Sequence, residues 1–261
     1  MTKQIARLVT ALSLAALLAP VAARAEFGTT NFQLLQGWNF DKDVNATSDK
    51  KLTTLTVNHY STFAYGDNFF FVDMQRGKFG ASDTVTAGLY GEWHPRLFLN
   101  KVGAPAAGGF IKNYGVAGEV NTGSAFFAYL GGVTADFNIP GFQVAGLSVY
   151  YRYDTVDAGG FKKYNSTYQI SPWWDVPFKT GPVSWDFSGF VDVTTDDGQL
   201  DVMAQPELLV DVGAFAGAPG KFHAGVEWYI HKFTPYKSGK SELVSAPQLM
   251  VQWTPFSQFV P

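Results

Sequence analysis

Hydrophobic and polar residues alternate with a period of two along most of the chain. From Val183 to Thr194, the odd positions carry mainly valine and aromatic residues, whereas the even positions carry mainly serine, aspartate and threonine. Successive side chains of a strand point to opposite faces of the sheet, so each such segment predicts a strand with one apolar and one polar face. The alternation recurs in the segments that begin at Thr167, Val202 and Phe222. Its repetition predicts an all-β protein.

Turn residues such as Gly66-Asp67, Pro140-Gly141 and Gly181-Pro182 separate these segments. Most segments reach the roughly 9–11 residues of a membrane-spanning strand, whereas strands of soluble domains are nearer about 5–6. Single-chain outer-membrane barrels have an even number of strands. We therefore predict one antiparallel transmembrane β-barrel over residues 26–261, with twelve strands near 31–40, 52–64, 68–76, 84–99, 110–121, 124–137, 142–155, 167–178, 183–195, 201–213, 222–233 and 243–256.

The first 25 residues have the layout of a signal peptide. Lys3 and Arg7 precede an apolar stretch over residues 8–19, and Ala23-Arg24-Ala25 fits the small-x-small cleavage pattern. The stretch is shorter than the roughly 20 apolar residues of a spanning helix. We therefore expect a Sec signal peptide over residues 1–25 that is removed before Glu26.

Composition excludes several classes of function. The 261 residues contain no cysteine, which excludes a disulfide scaffold, a thiolate metal site and a cysteine nucleophile. Three of the 19 basic residues lie in the expected signal peptide, which leaves 16 against 22 acidic residues and a formal net charge of −6. This balance gives no support for nucleic-acid binding. A mean hydropathy of −0.01 without a long apolar run argues against a helical membrane protein.

Two all-β arrangements differ in where the apolar face points. A soluble barrel turns this face inward, whereas an outer-membrane barrel turns it toward lipid and keeps a polar lumen. Charged residues on the polar faces suit either a lumen or a solvated surface, but aromatic residues near the strand ends match the girdles of outer-membrane barrels. These residues are Trp93, Tyr151, Tyr153, Trp174, Trp185, Trp228 and Trp253. Together with the signal peptide, they favour the outer membrane of a Gram-negative bacterium.

The polar faces of the predicted strands supply a candidate lumen. Tyr90 could stack on a flat base or sugar ring, while Glu92 and Arg96 could bond its polar edges. The alternative is that the charged residues pair across the lumen and only brace the barrel. An acidic excess in a lumen favours neutral or cationic solutes over anions. The predicted lumen-lining and substrate-binding residues are Asp73, Tyr90, Glu92, His94, Arg96, Glu119, Tyr150, Arg152, Asp186, Glu207 and Glu227.

A hairpin in the third and fourth strands carries a family resemblance. The segments Tyr65–Asp73 (YGDNFFFVD) and Leu89–Lys101 (LYGEWHPRLFLNK) resemble the nucleoside-specific channel-forming family of the outer membrane, the Tsx and OmpK type. That family has a Gly-Asp-aromatic-Asp hairpin followed by a Glu-x-x-Pro-Arg strand. The resemblance implies passive, selective diffusion of nucleosides or similarly small solutes through a narrow lumen. It also implies contact with outer-membrane lipid and lipopolysaccharide, and insertion by the barrel-assembly machinery.

Two other functions stay open. A barrel with a plugged lumen would act as a receptor or structural protein. The pattern His59-x-Ser61, with Asp73 across the turn, resembles the catalytic set of outer-membrane lipid A deacylases. No other part of those families' patterns occurs, so we expect no enzyme. The histidine spacing does not suggest chelation and no glycine-rich loop precedes Lys-Ser/Thr, so we expect neither a metal nor a cofactor.

Overall fold

The computed structural model describes residues 26–42, 45–79, 84–123, 126–158, 161–196, 199–234 and 240–259. The expected signal peptide over residues 1–25 lies outside these described residues. Among the residues that the structure describes, no helix is long and apolar enough to cross a membrane.

The strands follow one another around a closed antiparallel sheet. Consecutive strands pair from β1 to β9, and β1 also pairs with β13, from Phe27 opposite Phe259 to Gly37 opposite Gln248. β10 and β11 both lie between β9 and β12, so together they occupy one strand position of the barrel. The predicted twelve-stranded antiparallel barrel is therefore confirmed. The strands are β1 (Phe27–Trp38), β2 (Thr47–Phe63), β3 (Gly66–Phe79), β4 (Thr86–Phe98), β5 (Ile111–Gly123), β6 (Phe126–Phe137), β7 (Val144–Ala158), β8 (Phe161–Thr180), β9 (Val183–Asp196), β10 (Gln199–Ala204), β11 (Glu207–Asp211), β12 (Phe222–Phe233) and β13 (Glu242–Phe259).

The sequence predicts one continuous strand over 201–213. In the structure this strand is interrupted at Gln205 and Pro206, which separate β10 from β11. Proline has no N–H to give to the ladder, which explains the break. The backbone of β9 also approaches closely here, since a Cβ at Gly189 would lie 2.6 Å from the carbonyl oxygen of Gln205. The Pro206 carbonyl still accepts a hydrogen bond of 2.9 Å from the Trp228 N–H. Backbone hydrogen bonding with β12 therefore continues past the proline.

Side chains alternate between an apolar outer face and a polar inner face. Apolar residues such as Leu34, Val133 and Leu249 are 54–60% exposed, whereas Gln169 and Ser148 are completely buried inside the barrel. An outer-membrane barrel has this polarity, because its outer face meets lipid. The strand register places all seven predicted girdle residues outside: Trp93, Tyr151, Tyr153, Trp174, Trp185, Trp228 and Trp253.

The two ends of the barrel differ. We call the end where Phe27 pairs with Phe259 the terminal end and the other the distal end. At the distal end the chain turns inward after β1, so that Phe40 is only 1% exposed and its ring lies 5.3 Å from that of Tyr229. Gly37 makes room for this ring, because a Cβ there would lie 2.4 Å from it. The segment after β1 thus enters the barrel.

Phe40 belongs to an apolar cluster inside the distal end, which we call the Phe40 cluster. Its buried members are Phe40, Leu52, Tyr229, Val244 and Ala246, with Phe79, Met203 and Phe233 packed against them. Apart from Phe40, which follows β1, these residues come from β2, β3, β10, β12 and β13. One side of the distal interior is therefore filled by side chains.

Candidate functional site

The barrel interior is the candidate functional site. The strand register directs all of the predicted lumen residues to the inner face, where their cross-strand partners are other buried or polar residues. These residues are Asp73, Tyr90, Glu92, His94, Arg96, Glu119, Tyr150, Arg152, Asp186, Glu207 and Glu227. They do not form one cluster but divide into separate groups along the wall.

The first group surrounds Arg96 near the terminal end. The Arg96 Nε donates to Asp67 Oδ1 at 2.7 Å, and its Nη1 donates to Asp136 Oδ1 at 2.6 Å. The guanidinium also lies 4.8 Å from the ring centroid of Trp173 on β8, three strands beyond β5. Arg96 therefore reaches from β4 across part of the interior. We call Arg96, Asp67, Asp136 and Trp173 the Arg96 bridge.

The residues around the Arg96 bridge hold its two carboxylates in place. The Tyr60 hydroxyl donates to Asp67 at 3.0 Å, and Asn113 donates to Asp136 at 2.9 Å. A cavity of about 160 Å³ lies beside the bridge and is also lined by Lys101 and Gln143. The bridge narrows the interior at this level.

Sequence reasoning did not select Asp67 or Asp136. The Gly66-Asp67 pattern predicts a turn, but β3 begins at Gly66 and places Asp67 directly opposite Arg96. Gly66 is required there, since a Cβ would lie 2.0 Å from the carbonyl oxygen of Arg96. The Gly-Asp pair is thus explained by close approach and by an ion pair. Asp136 lies on a face of β6 that carries both apolar and polar residues, so alternation does not distinguish it as an inner-face residue.

The second group joins Glu92, His94 and Glu119. His94 Nε2 lies 2.7 Å from Glu92 Oε2, and His94 Nδ1 lies 3.5 Å from Glu119 Oε2. The Tyr90 hydroxyl donates to Glu92 Oε1. Glu119 is 3% exposed, and its Oε1 has no hydrogen-bond partner among the residues that the structure describes. One potential ligand atom from each of Glu92, His94 and Glu119 lies within 4.8 Å of the others.

Arg152 begins a chain of polar contacts across β7, β8 and β9. Its Nε donates to Asp154 at 2.9 Å and its Nη1 to Gln169 Oε1 at 2.6 Å. Gln169 donates to Ser171, which donates to Asp192 Oδ1 at 2.6 Å. Most of these groups satisfy one another. This group therefore braces the wall.

A further group is acidic and lies in the wall formed by β8, β9, β11 and β12. Glu207 lies directly opposite Glu227, which accepts a hydrogen bond of 2.6 Å from Gln248. Asp175 and Asp186 each bury an Oδ1 atom that has no hydrogen-bond partner among the described residues. Four carboxyl groups are thus gathered in one part of the wall.

His59, Ser61 and Asp73 do not come together as a catalytic triad. Asp73 lies on the inner face and accepts a 2.6 Å hydrogen bond from Thr56. His59 lies on the opposite face of β2, where its Nδ1 is 2.9 Å from the Thr30 hydroxyl and its ring stacks on Phe70. The wall of the barrel thus separates the acid from the histidine and the serine.

A closed antiparallel barrel with an apolar outer face and a charged interior defines an outer-membrane β-barrel protein. The chain belongs to the family described as Domain of unknown function (DUF5020), whose model matches residues 29–255. This match does not confirm membership of the nucleoside-specific family that the hairpin resembles. No curated protein matches the sequence.

The chain is similar to several solved structures at low identity and low TM-score. A "KdgM porin" is 11% identical with a TM-score of 0.44, covering 85% of this chain and 98% of that one. A "Bacterial polysaccharide outer membrane secretin" is 13% identical with a TM-score of 0.41, covering 87% and 98%. OccK5 (OpdH) of Pseudomonas aeruginosa is 8% identical with a TM-score of 0.32, covering 89% and 98%. At these values the likeness does not extend to a shared solute.

Proposed function

We propose that the protein is an outer-membrane channel for passive diffusion of small polar solutes. The observation that supports this most is the inverted polarity of the barrel, with lipid-compatible side chains outside and ionisable ones inside. Charged groups within a membrane protein are costly and usually mark a solute or ion pathway. Insertion by the barrel-assembly machinery and contact with lipopolysaccharide belong to the same proposal.

We further propose that the solutes are nucleosides or similarly small ring-bearing molecules. The inner face of β3 and β4 places aromatic rings beside carboxylates: the Phe71 and Tyr90 rings are 5.8 Å apart, and those of Phe69 and His94 are 5.5 Å apart. Such rings offer stacking surfaces for a flat base, and nearby carboxylates accept from its N–H groups or from ribose hydroxyls. The resemblance of the YGDNFFFVD hairpin to the nucleoside-specific family supports the same solute class.

The hydrogen bonds suggest which predicted residues contact the solute. Arg96 and Arg152 are occupied by carboxylates, so we assign them to bracing. Glu119 and Asp186 face the interior and, among the described residues, neither forms an ion pair with an arginine, so we assign them to solute contact. Carboxylates outnumber arginines on the inner face, which favours neutral and cationic solutes over anions.

A second candidate function is a closed barrel that acts as a receptor or structural protein. The Arg96 bridge and the Phe40 cluster favour it, because each places side chains across part of the interior. This alternative predicts a barrel that inserts into bilayers without conducting ions.

Single-channel conductance in planar bilayers tests both proposals. We expect cation-selective conductance that added nucleosides reduce. Stacking of a base on an aromatic side chain is worth about 1–3 kcal/mol, so Tyr90→Leu should raise the half-blocking nucleoside concentration about fivefold or more, whereas Tyr90→Phe should not. The outward-facing Tyr151→Leu is the matched control, since that side chain is 52% exposed on the outer face. Absence of conductance would favour the closed barrel, and conductance that nucleosides never reduce would refute nucleoside selectivity.

A further inference from the structure

We propose that Glu92, His94 and Glu119 bind a divalent transition-metal ion inside the barrel. Glu92 and His94 are two residues apart on β4 and therefore share the inner face. Glu119 lies on the neighbouring strand β5. Because β4 and β5 are antiparallel and Glu92 lies opposite Asn121, Glu119 lies opposite His94. Two paired strands thus bring two carboxylates and one imidazole together in one cluster. The proposal does not depend on whether the barrel conducts solutes.

The distances suit such a site after small side-chain rotations. One donor atom from each residue lies within 4.8 Å of the other two. Zinc lies about 2.0–2.2 Å from nitrogen and oxygen ligands, so the ligands of a tetrahedral ion are roughly 3.3–3.5 Å apart. The widest separation between donor atoms would therefore shorten by up to about 1.5 Å. Three protein ligands would leave a fourth position for water, as in open zinc sites.

Unsatisfied oxygens give an independent indication of a cation. Within the part of the chain that the structure describes, Glu119 Oε1 and Asn121 Oδ1 are both buried without a hydrogen-bond partner, and each residue is only 3% exposed. Burial of the Glu119 carboxylate, whose other oxygen lies 3.5 Å from His94 Nδ1, is costly, and a bound cation would offset part of this cost. Arg152 lies close enough to act on Glu119 electrostatically, but its hydrogen bonds go to Asp154 and Gln169 and not to Glu119.

The donor set and its access narrow the class of ion. An imidazole combined with carboxylates suits zinc and other first-row transition metals, whereas magnesium and calcium prefer oxygen alone. The His94 side chain is 22% exposed within the barrel, so an ion in the interior can reach it. The competing interpretation uses the same residues without a metal, with a charged His94 bridging the two carboxylates.

Zinc binding to the full protein, folded in detergent and stripped with a chelator, tests the proposal. We expect one Zn²⁺ per barrel by calorimetry and elemental analysis, with at least about tenfold weaker binding in Glu119→Gln and His94→Gln. The matched controls are His231→Gln and Asp201→Asn, which remove a second interior contact between a histidine and a carboxylate, at 3.2 Å, and should bind zinc as the wild type does. Circular dichroism and heat-modified gel mobility check the fold of each variant.

X-ray absorption of zinc on the wild-type protein provides a second measurement that needs no variant. We expect one imidazole and otherwise oxygen ligands. Lack of stoichiometric zinc, a coordination shell without imidazole, or equal loss of binding in the His231 and Asp201 variants would each overturn the proposal. The metal-free bridge through a charged His94 would then be the better interpretation.

Discussion

Replacement of Arg96 by methionine should destabilise the barrel strongly. The substitution keeps much of the side-chain volume but leaves Asp67 and Asp136 without their cation, and these side chains are only 4% and 12% exposed. Removal of one partner from a buried ion pair costs about 3–5 kcal/mol, because an uncompensated charge stays behind. Tyr60 and Asn113 continue to donate to the two acids, so we expect a value within that range.

Urea unfolding of the detergent-folded protein, followed by tryptophan fluorescence, measures this loss. Lys50→Met is the matched control: it also removes one positive charge and one ion pair, with Asp41 at 2.9 Å, but its side chain is 59% exposed. Exposed pairs contribute at most about 1 kcal/mol. If the uncompensated charges of Asp67 and Asp136 cause the loss of stability, the neutral triple variant Asp67→Asn, Arg96→Met and Asp136→Asn should regain most of it. A cost below about 1 kcal/mol for Arg96→Met, or a triple variant no more stable than the single one, would refute this reasoning.

Three further changes test other parts of the fold. Phe40→Ala should cost about 3–5 kcal/mol of unfolding free energy in the same urea assay, because it removes a buried ring from the Phe40 cluster. Gly146→Ala should cost about 1–3 kcal/mol, since its Cβ would lie 2.1 Å from the Trp173 ring, whereas Gly131→Ala, with open space around it, should be nearly neutral. The hydrogen bond from Lys50 lowers the pKa of Asp41 below 3.8, so the pair stabilises the fold above that pH and loses its effect as the pH falls through the lowered pKa. Asp41→Asn should therefore destabilise the protein by about 0.2–1 kcal/mol at neutral pH and by less in acid.

The alternation of residue types was sufficient to predict the faces of the strands. A period of two relates each residue to its own strand, so Glu92 and His94 could be assigned to one face without knowledge of any neighbour. The long strands and the outward aromatic residues then distinguished the membrane barrel from a soluble one. These features are local in sequence, and the structure agrees with them.

Contacts between strands could not be predicted in the same way, because they depend on register. A shift of one residue between β4 and β5 would move Glu119 away from His94 and to the other face. The pairing of Asp67 with Arg96 likewise follows from where β3 begins, which a turn motif does not define. Phe40 was missed for another reason: it follows the end of β1, and the space it fills is created by Gly37 and by residues of distant strands.

The Arg96 bridge and the Phe40 cluster lie toward opposite ends of the barrel, so they allow one more prediction about the proposed channel. If a single pathway passes both and they are of comparable resistance, they act in series, and each still restricts the current when the other is removed. Arg96→Met or Phe40→Ala alone should then raise single-channel conductance only modestly, whereas the double variant should raise it by more than the sum of the two increments. Two separate pathways would instead give additive increments. Planar-bilayer recording of the four proteins distinguishes these outcomes, with the outward-facing Tyr151→Leu as a control that should leave the conductance unchanged.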